Sequence, residues 1–96
     1  MRTEKIKTYV GFAIKAGKIK FGVDNITATK GKINVILYDN QLSERSKKKI
    51  LDYATVKNII IIEFPIEEIL PERNCKALGI TDINLANAII SEIKEI

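Results

Sequence analysis

The order of segments in the chain predicts an α/β protein built as a three-layer α/β/α sandwich. Three observations lead there. Two short, nearly unbroken runs of β-branched apolar residues, INVILY at 33–38 and NIIIIEF at 58–64, have the pattern of strands buried on both faces. A helix-length amphipathic segment lies between them, so the two strands form a βαβ unit, parallel and with a right-handed crossover. Helical and extended segments alternate along the whole sequence, with no linker, repeat or low-complexity stretch between them.

Each element has a local reason. Ile6, Tyr9, Val10, Ala13 and Ile14 fall on one face at helical spacing and predict a helix over 4–16. Thr3 suits its N-cap and Gly17 the position just past its end. Gly11 sits mid-helix at a cost of about 1 kcal/mol against alanine, which points to close packing against another element. Residues 18–21 are a short extended piece and Gly22 breaks the chain. A short helix follows over 23–30, with Val23 and Ile26 inward and Gly31 ending it. After the strand at 33–38, Asp39-Asn40 makes a turn. Ser43 caps a helix running to Thr55, with Ile50, Leu51 and Ala54 inward. Beyond the strand at 58–64, Pro65 opens a short helix, PIEEIL, and Pro71 stops it. Residues 75–80 predict a third strand. Asp82 caps a terminal helix with Ile83, Ala86, Ile90 and Ile93 in register.

Ninety-six residues, 46% of them apolar, make one small domain able to bury a core without metal or disulfide staples. The single cysteine, Cys75, cannot form an internal disulfide, and nothing requires an oxidising compartment. The charged start, MRTEKIKTYV, leads into no long apolar stretch, and the longest apolar run, Ile59–Ile62, is far short of a membrane span. A cytoplasmic protein with no membrane partner is expected. The net charge of +4 conceals a larger asymmetry. Residues 1–50 hold 12 Lys/Arg against 4 Asp/Glu, a balance of +8, whereas residues 51–96 hold 4 against 8, a balance of −4. A surface so divided suits an anionic partner on one side, with nucleic acid first among them.

The absences narrow the chemistry. With no histidine there is no Ser-His or Cys-His catalysis and no histidine-based metal site. Neither GxxxxGK[ST] nor GxGxxG occurs. Cys75 falls in an expected strand and reads as an inert core thiol. Asp39 and Asp82 follow two expected strands, where α/β proteins often bind ligands, and together they could hold a metal. Both positions also favour aspartate for backbone reasons, one as a turn residue and one as a helix cap. No cofactor is implied.

The stretch AGKIKFGVDN, 16–25, holds the strongest candidate site. Gly22 lets another backbone approach, and the N–H groups of residues 23–25 at a helix start can seat a phosphate. Lys18 and Lys20 flank it, and Lys30 and Lys32 follow close behind. Asp24 can accept from an unpaired guanine edge, and Asn25 can donate or accept. An equal reading is that Asp24 simply favours the positive end of the helix. The run Lys47-Lys48-Lys49 is an ordinary solvated helix face unless folding brings it to the same side.

The ordered set of segments resembles the kink-turn RNA-binding superfamily of ribosomal proteins named for L-seven-Ae and L-thirty-e, most closely its bacterial YlxQ-like branch. YVGFAIKAGKIKFG resembles that branch's first helix and following glycine, and INVILYDN its central strand and acidic turn. SERSKKKI is similar to the next helix, and ALGITDINLANAI to the last strand, Thr-Asp corner and terminal helix. The resemblance implies a mixed four-stranded sheet within the sandwich and a non-enzymatic, RNA-binding function. The RNA would be structured, either a kink-turn or ribosomal, within a ribosome or another ribonucleoprotein. In the family's strong binders the second helix opens Gly-x-Asn-Glu. Here Gly22 matches the glycine, while Asp24 and Asn25 carry the same two chemical types in reversed order, which moves the carboxylate by about 100° around a helix. A second RNA-facing loop of the family corresponds to 71–74, with Arg73 its only cation. Some members of the superfamily act through protein contacts, so a protein-interaction module of the same fold is the alternative. The acidic Glu63, Glu67, Glu68 and Glu72 would then face a basic partner.

Overall fold

Among the described residues, 3–94 of the computed structural model, helices and strands alternate as the apolar pattern requires. Helix α1 (Thr3–Ala16) leads through a turn into strand β1 (Ile19–Phe21) and the short helix α2 (Val23–Thr27). Strand β2 (Val35–Tyr38), helix α3 (Glu44–Lys57) and strand β3 (Ile60–Glu63) form the crossover unit. Helix α4 (Ile66–Ile69), strand β4 (Ala77–Ile80) and helix α5 (Ile83–Lys94) complete the order. The strands make one mixed sheet in the order β1-β4-β2-β3. β2 and β3 are parallel, with Val35 opposite Ile60, and β4 runs antiparallel to both β2 and β1.

Alternation along the strands sorts two cores onto two faces. Val35, Leu37, Leu78 and Ile80 pack under α1, α4 and α5 with Ile6, Val10 and Ile89. Ile36 and Ala77 face the other way, under α2 and α3, with Ile26, Ile50 and Ala54. This is the three-layer arrangement, and burying each such aliphatic side chain contributes roughly 1.5–3 kcal/mol. Gly79 faces the second core, where a Cβ would lie 3.1 Å from Cγ2 of Ile33. A larger residue there would have to displace the Ile33 side chain, which packs directly on the sheet, by a few tenths of an ångström.

Several local expectations hold in atomic detail. The Ser43 hydroxyl accepts from the Ser46 N–H at 3.2 Å, and the Asp82 carboxylate accepts from the Leu85 N–H at 3.0 Å. Gly17 adopts φ 67°, and the N–H groups of Gly17 and Lys18 return to the carbonyls of Ile14 and Ala13, closing α1.

Others are corrected. Thr3 is already helical and does not cap α1. Asn58 does not begin a strand: it takes φ 57° and closes α3, which runs to Lys57. Tyr53, and not Leu51, joins Ile50 and Ala54 in the core under α3. Ile33 and Asn34 precede β2, and Cys75 and Lys76 precede β4. α2 stops at Thr27 rather than residue 30. The hydroxyls of Thr27 and Thr29 bond back to the Val23 and Asn25 carbonyls, and such side-chain bonds compete with helix continuation. β3 is an edge strand with Ile60 51% exposed, not a strand buried on both faces. Its apolar run reports strand propensity, whereas its place in the sheet depends on the other strands. Ile83 is likewise exposed, and Ile89 takes the core position beside Ile90.

Gly11 overturns the packing expectation. No atom outside its own helix neighbourhood lies within 4 Å of a Cβ built there. A Gly11→Ala variant is therefore expected to be more stable by about 0.5–1 kcal/mol, since alanine loses less chain entropy on folding. Urea denaturation checks this, and a destabilised variant would show that the space beside Gly11 does not accommodate a Cβ in the folded protein.

Candidate nucleic-acid interface

Strand directions decide which loops meet. One end of the sheet collects Lys18 before β1, Asn34 before β2, Ile59 before β3 and Thr81 after β4. The opposite end collects Gly22, Asp39, Phe64 and Lys76. The Thr81 N–H donates to the Lys18 carbonyl at 2.9 Å. The Asn34 N–H and side-chain amide donate to the carbonyls of Ile80 and Thr81, both at 2.8 Å. The end of the 28–34 loop is thereby fixed beside the start of β1.

Lys18, Lys20, Lys30 and Lys32 converge on one open groove of about 820 Å³ between β1 and that loop. Lys20 alternates with Ile19 and Phe21, which pack inward, so its side chain takes the α2 side of the strand. The groove wall includes Phe21, Asn25, Thr29 and Thr81 and contains no acidic residue. Among the described residues none of the four lysines forms an ion pair. Four uncompensated cations around one groove make a positive field suited to a polyanion.

The β1–α2 junction lies at the other end of β1. Gly22 has φ 87° and ψ 151°, a region essentially reserved to glycine, and nothing lies within 4 Å of its Cβ direction. Its N–H donates to the Ala77 carbonyl at 2.9 Å, and its carbonyl accepts from Ile26. The glycine therefore serves the chain reversal, and its open side leaves room for a ligand backbone. α2 is only five residues long, too short to present the strong N-terminal dipole expected for a phosphate seat. The stronger positive field is that of the lysine groove.

Asp24 and Asn25 are not free. The Asn25 side-chain amide donates to the Phe21 carbonyl at 2.7 Å. The Asp24 carboxylate meets the Lys49 ammonium at 2.9 Å. Lys49 comes from α3, which shows how one lysine of the 47–49 run reaches this surface. Lys47 and Lys48 pair within α3, with Glu44 and Asp52. The hydrogen bond and then the charge of Lys49 hold the Asp24 carboxyl below its ordinary value of 3.8. Its stabilising contribution is therefore present above that value and is lost as pH falls through the lowered one. In a Lys49→Gln variant the Asp24 titration should move up toward 3.8. Carboxyl-carbon NMR titration reads this directly, and an unmoved midpoint would mean that the pair does not form in solution.

Arg73 stacks over Phe21, its guanidinium carbon 4.1 Å from the ring centroid. This contact brings the 71–76 loop beside the β1–α2 junction. A second depression, of about 510 Å³, has Gly22, Val23, Asp24 and Asn25 on one side and Asn74, Cys75 and Lys76 on the other. Phe21 and Asn25 line both hollows, which together hold seven of the eight residues expected from sequence, and Arg73 joins them only through its stack on Phe21. Sequence reasoning missed Phe21 and Lys76, and it left open whether the 47–49 run, which supplies Lys49, reaches this side. Phe21 carried a signal, as an aromatic at a strand end amid lysines.

The metal alternative fails on topology. Asp39 and Asp82 follow antiparallel strands and lie at opposite ends of the sheet. The Asp39 carboxylate accepts from the Gln41 and Ile66 N–H groups, and Asp82 caps α5. Among the described residues no group of three or more acidic or sulfur ligands converges. Cys75 is half-buried just before β4 rather than within it, and burial pushes its thiol above the usual value, against the pull of Arg73. Burial of this kind disfavours the thiolate, which is the reactive form. No helix among the described residues is long and apolar enough to cross a membrane.

No protein-family model matches the sequence, and no curated protein matches it. The fold is similar to a solved structure of a protein with unknown function from Bacillus halodurans C. The TM-score is 0.82 at 16% identity, over 94% of this chain and 97% of that one.

Proposed function

We propose that the protein is a non-catalytic, cytoplasmic RNA-binding protein of the kink-turn-binding kind, engaging structured RNA in a ribosome or another ribonucleoprotein. The observation that carries this is the groove holding Lys18, Lys20, Lys30 and Lys32 with no carboxylate in its wall. The lysines contact phosphates. The open side of Gly22 admits the bent RNA backbone, and Arg73 on Phe21 borders it from the facing loop. For Asp24 to read a guanine edge it must first exchange Lys49, whose ammonium then meets a phosphate.

A binding titration at two salt concentrations tests the reading. It compares a standard kink-turn RNA with the same RNA whose G·A pairs are replaced by Watson–Crick pairs. Tighter binding of the kinked RNA, with affinity falling steeply as salt rises, is the expected result. Equal salt-sensitive binding would remove the kink-turn reading and keep general RNA binding. No binding to either would overturn the function and favour the protein-interaction module.

A further inference from the structure

The loop that forms one wall of the groove has a second face. Lys30, Gly31 and Lys32 also border a smaller niche of about 260 Å³, closed on its other side by Tyr53, Lys57 and Ile59. Its floor is apolar: Ile33 is buried, and Tyr53 and Ile59 are half-buried in the core under α3. Its rim carries three lysines and no carboxylate. Tyr53 and Lys57 lie four residues apart on α3, so ring and ammonium are neighbours on one helix face. The left-handed turn at Asn58 engages the carbonyls of Ala54 and Thr55, which weakens the negative field a helix end would otherwise direct at an anion.

The volume is below the roughly 300–1,000 Å³ of drug-sized ligand pockets. A duplex cannot enter it. A single flat base can, and the combination of aromatic wall and cationic rim is how proteins hold unstacked nucleotides. We propose that this niche takes one unpaired nucleotide of the strand that leaves the groove, its base against Tyr53 and Ile59 and its phosphates among Lys30, Lys32 and Lys57. The assignment rests on the groove binding RNA, because Lys30 and Lys32 border both. It extends the footprint around the 28–34 loop and makes the protein a reader of a junction between structured and single-stranded RNA.

Fluorescence anisotropy with a labelled kink-turn hairpin, with and without a short adenosine tail at each end in turn, tests this. A tail at one end should tighten binding on the order of tenfold. Tyr53→Leu keeps apolar bulk under α3 and should abolish most of that gain. Lys57→Gln, at an exposed position, should lower the salt dependence of the gain by about one unit without risk to the fold. Neither variant should alter binding of the tailless hairpin. No gain from either tail, or a gain that survives Tyr53→Leu, would overturn the niche while leaving the groove intact. Failure of the tailless hairpin to bind would instead overturn the groove reading itself, and the niche with it. Displacement of the tail by poly-glutamate as readily as by poly-adenosine would also overturn it, in favour of an acidic peptide.

Discussion

On the proposed RNA-binding function, changing Lys18, Lys20, Lys30 and Lys32 together to glutamine is expected to lower affinity for a kink-turn RNA by about 10²–10³-fold near 0.15 M salt. The size follows from counterion release. Each phosphate-contacting cation contributes about 0.7–0.9 to the salt slope, or roughly four- to fivefold in affinity at that ionic strength. Four such contacts multiply, and the slope should fall by about three units. The four lysines line one groove and form no ion pairs among the described residues, so their removal leaves no stranded charge behind. Stability should change little, as at most exposed positions. Anisotropy titrations over a salt series, with a urea melt as the control, give both numbers. A quadruple variant binding within twofold of the parent, with an unchanged slope, would remove the groove from the binding surface.

Asp39→Ala should be among the most damaging single substitutions to the fold. Asp39 is 6% exposed, yet it carries a carboxylate. One oxygen accepts from the Gln41 N–H at 2.9 Å and the other from the buried Ile66 N–H at 3.2 Å. The first bond shapes the turn after β2 and the second ties that turn to the start of α4. Hydrogen bonds to a charged group are each worth about 1.5–3 kcal/mol, and alanine would leave the Ile66 donor unsatisfied in the interior. A loss of about 3–5 kcal/mol follows, equivalent to a fall in Tm of roughly 12 °C or more for a chain of this size. Asp39→Asn retains one oxygen acceptor and should lie between the two. If thermal denaturation shows Asp39→Ala within 1 kcal/mol of the parent, the α4 tie does not contribute as described.

The same residue shows how far local reading reaches. Asp39-Asn40 announces a turn, because aspartate bonds its own backbone two residues on. Nothing in the neighbouring sequence announces the Ile66 N–H, 27 positions away. The caps at Ser43 and Asp82 were legible for the reason that the turn was: donor and acceptor lie within three residues. The core face of α1 was legible because its period is a property of the helix alone. Gly11 was misread because a mid-helix glycine signals a requirement without naming it, and the space beside it is open. The lysines were visible as a charge imbalance, but the unpaired ones could not be told from those engaged by Glu44, Asp52 and Asp24.

By itself the sequence determined the alternation of helix and strand, the buried character of β2 and the caps at Ser43 and Asp82. Each of these depends on side-chain period or on bonds spanning a turn. Tertiary structure decided the rest. The strand order β1-β4-β2-β3 left β3 at an edge, with Ile60 exposed despite its strand-like run. The antiparallel course of β2 and β4 sent Asp39 and Asp82 to opposite ends of the sheet. The anchoring of Asn34 to β4 set Lys30 and Lys32 against Lys18 and Lys20. Each of these outcomes joins residues far apart in the chain. They are fixed by which apolar faces pack together across the whole sheet, a competition that no local window of sequence contains.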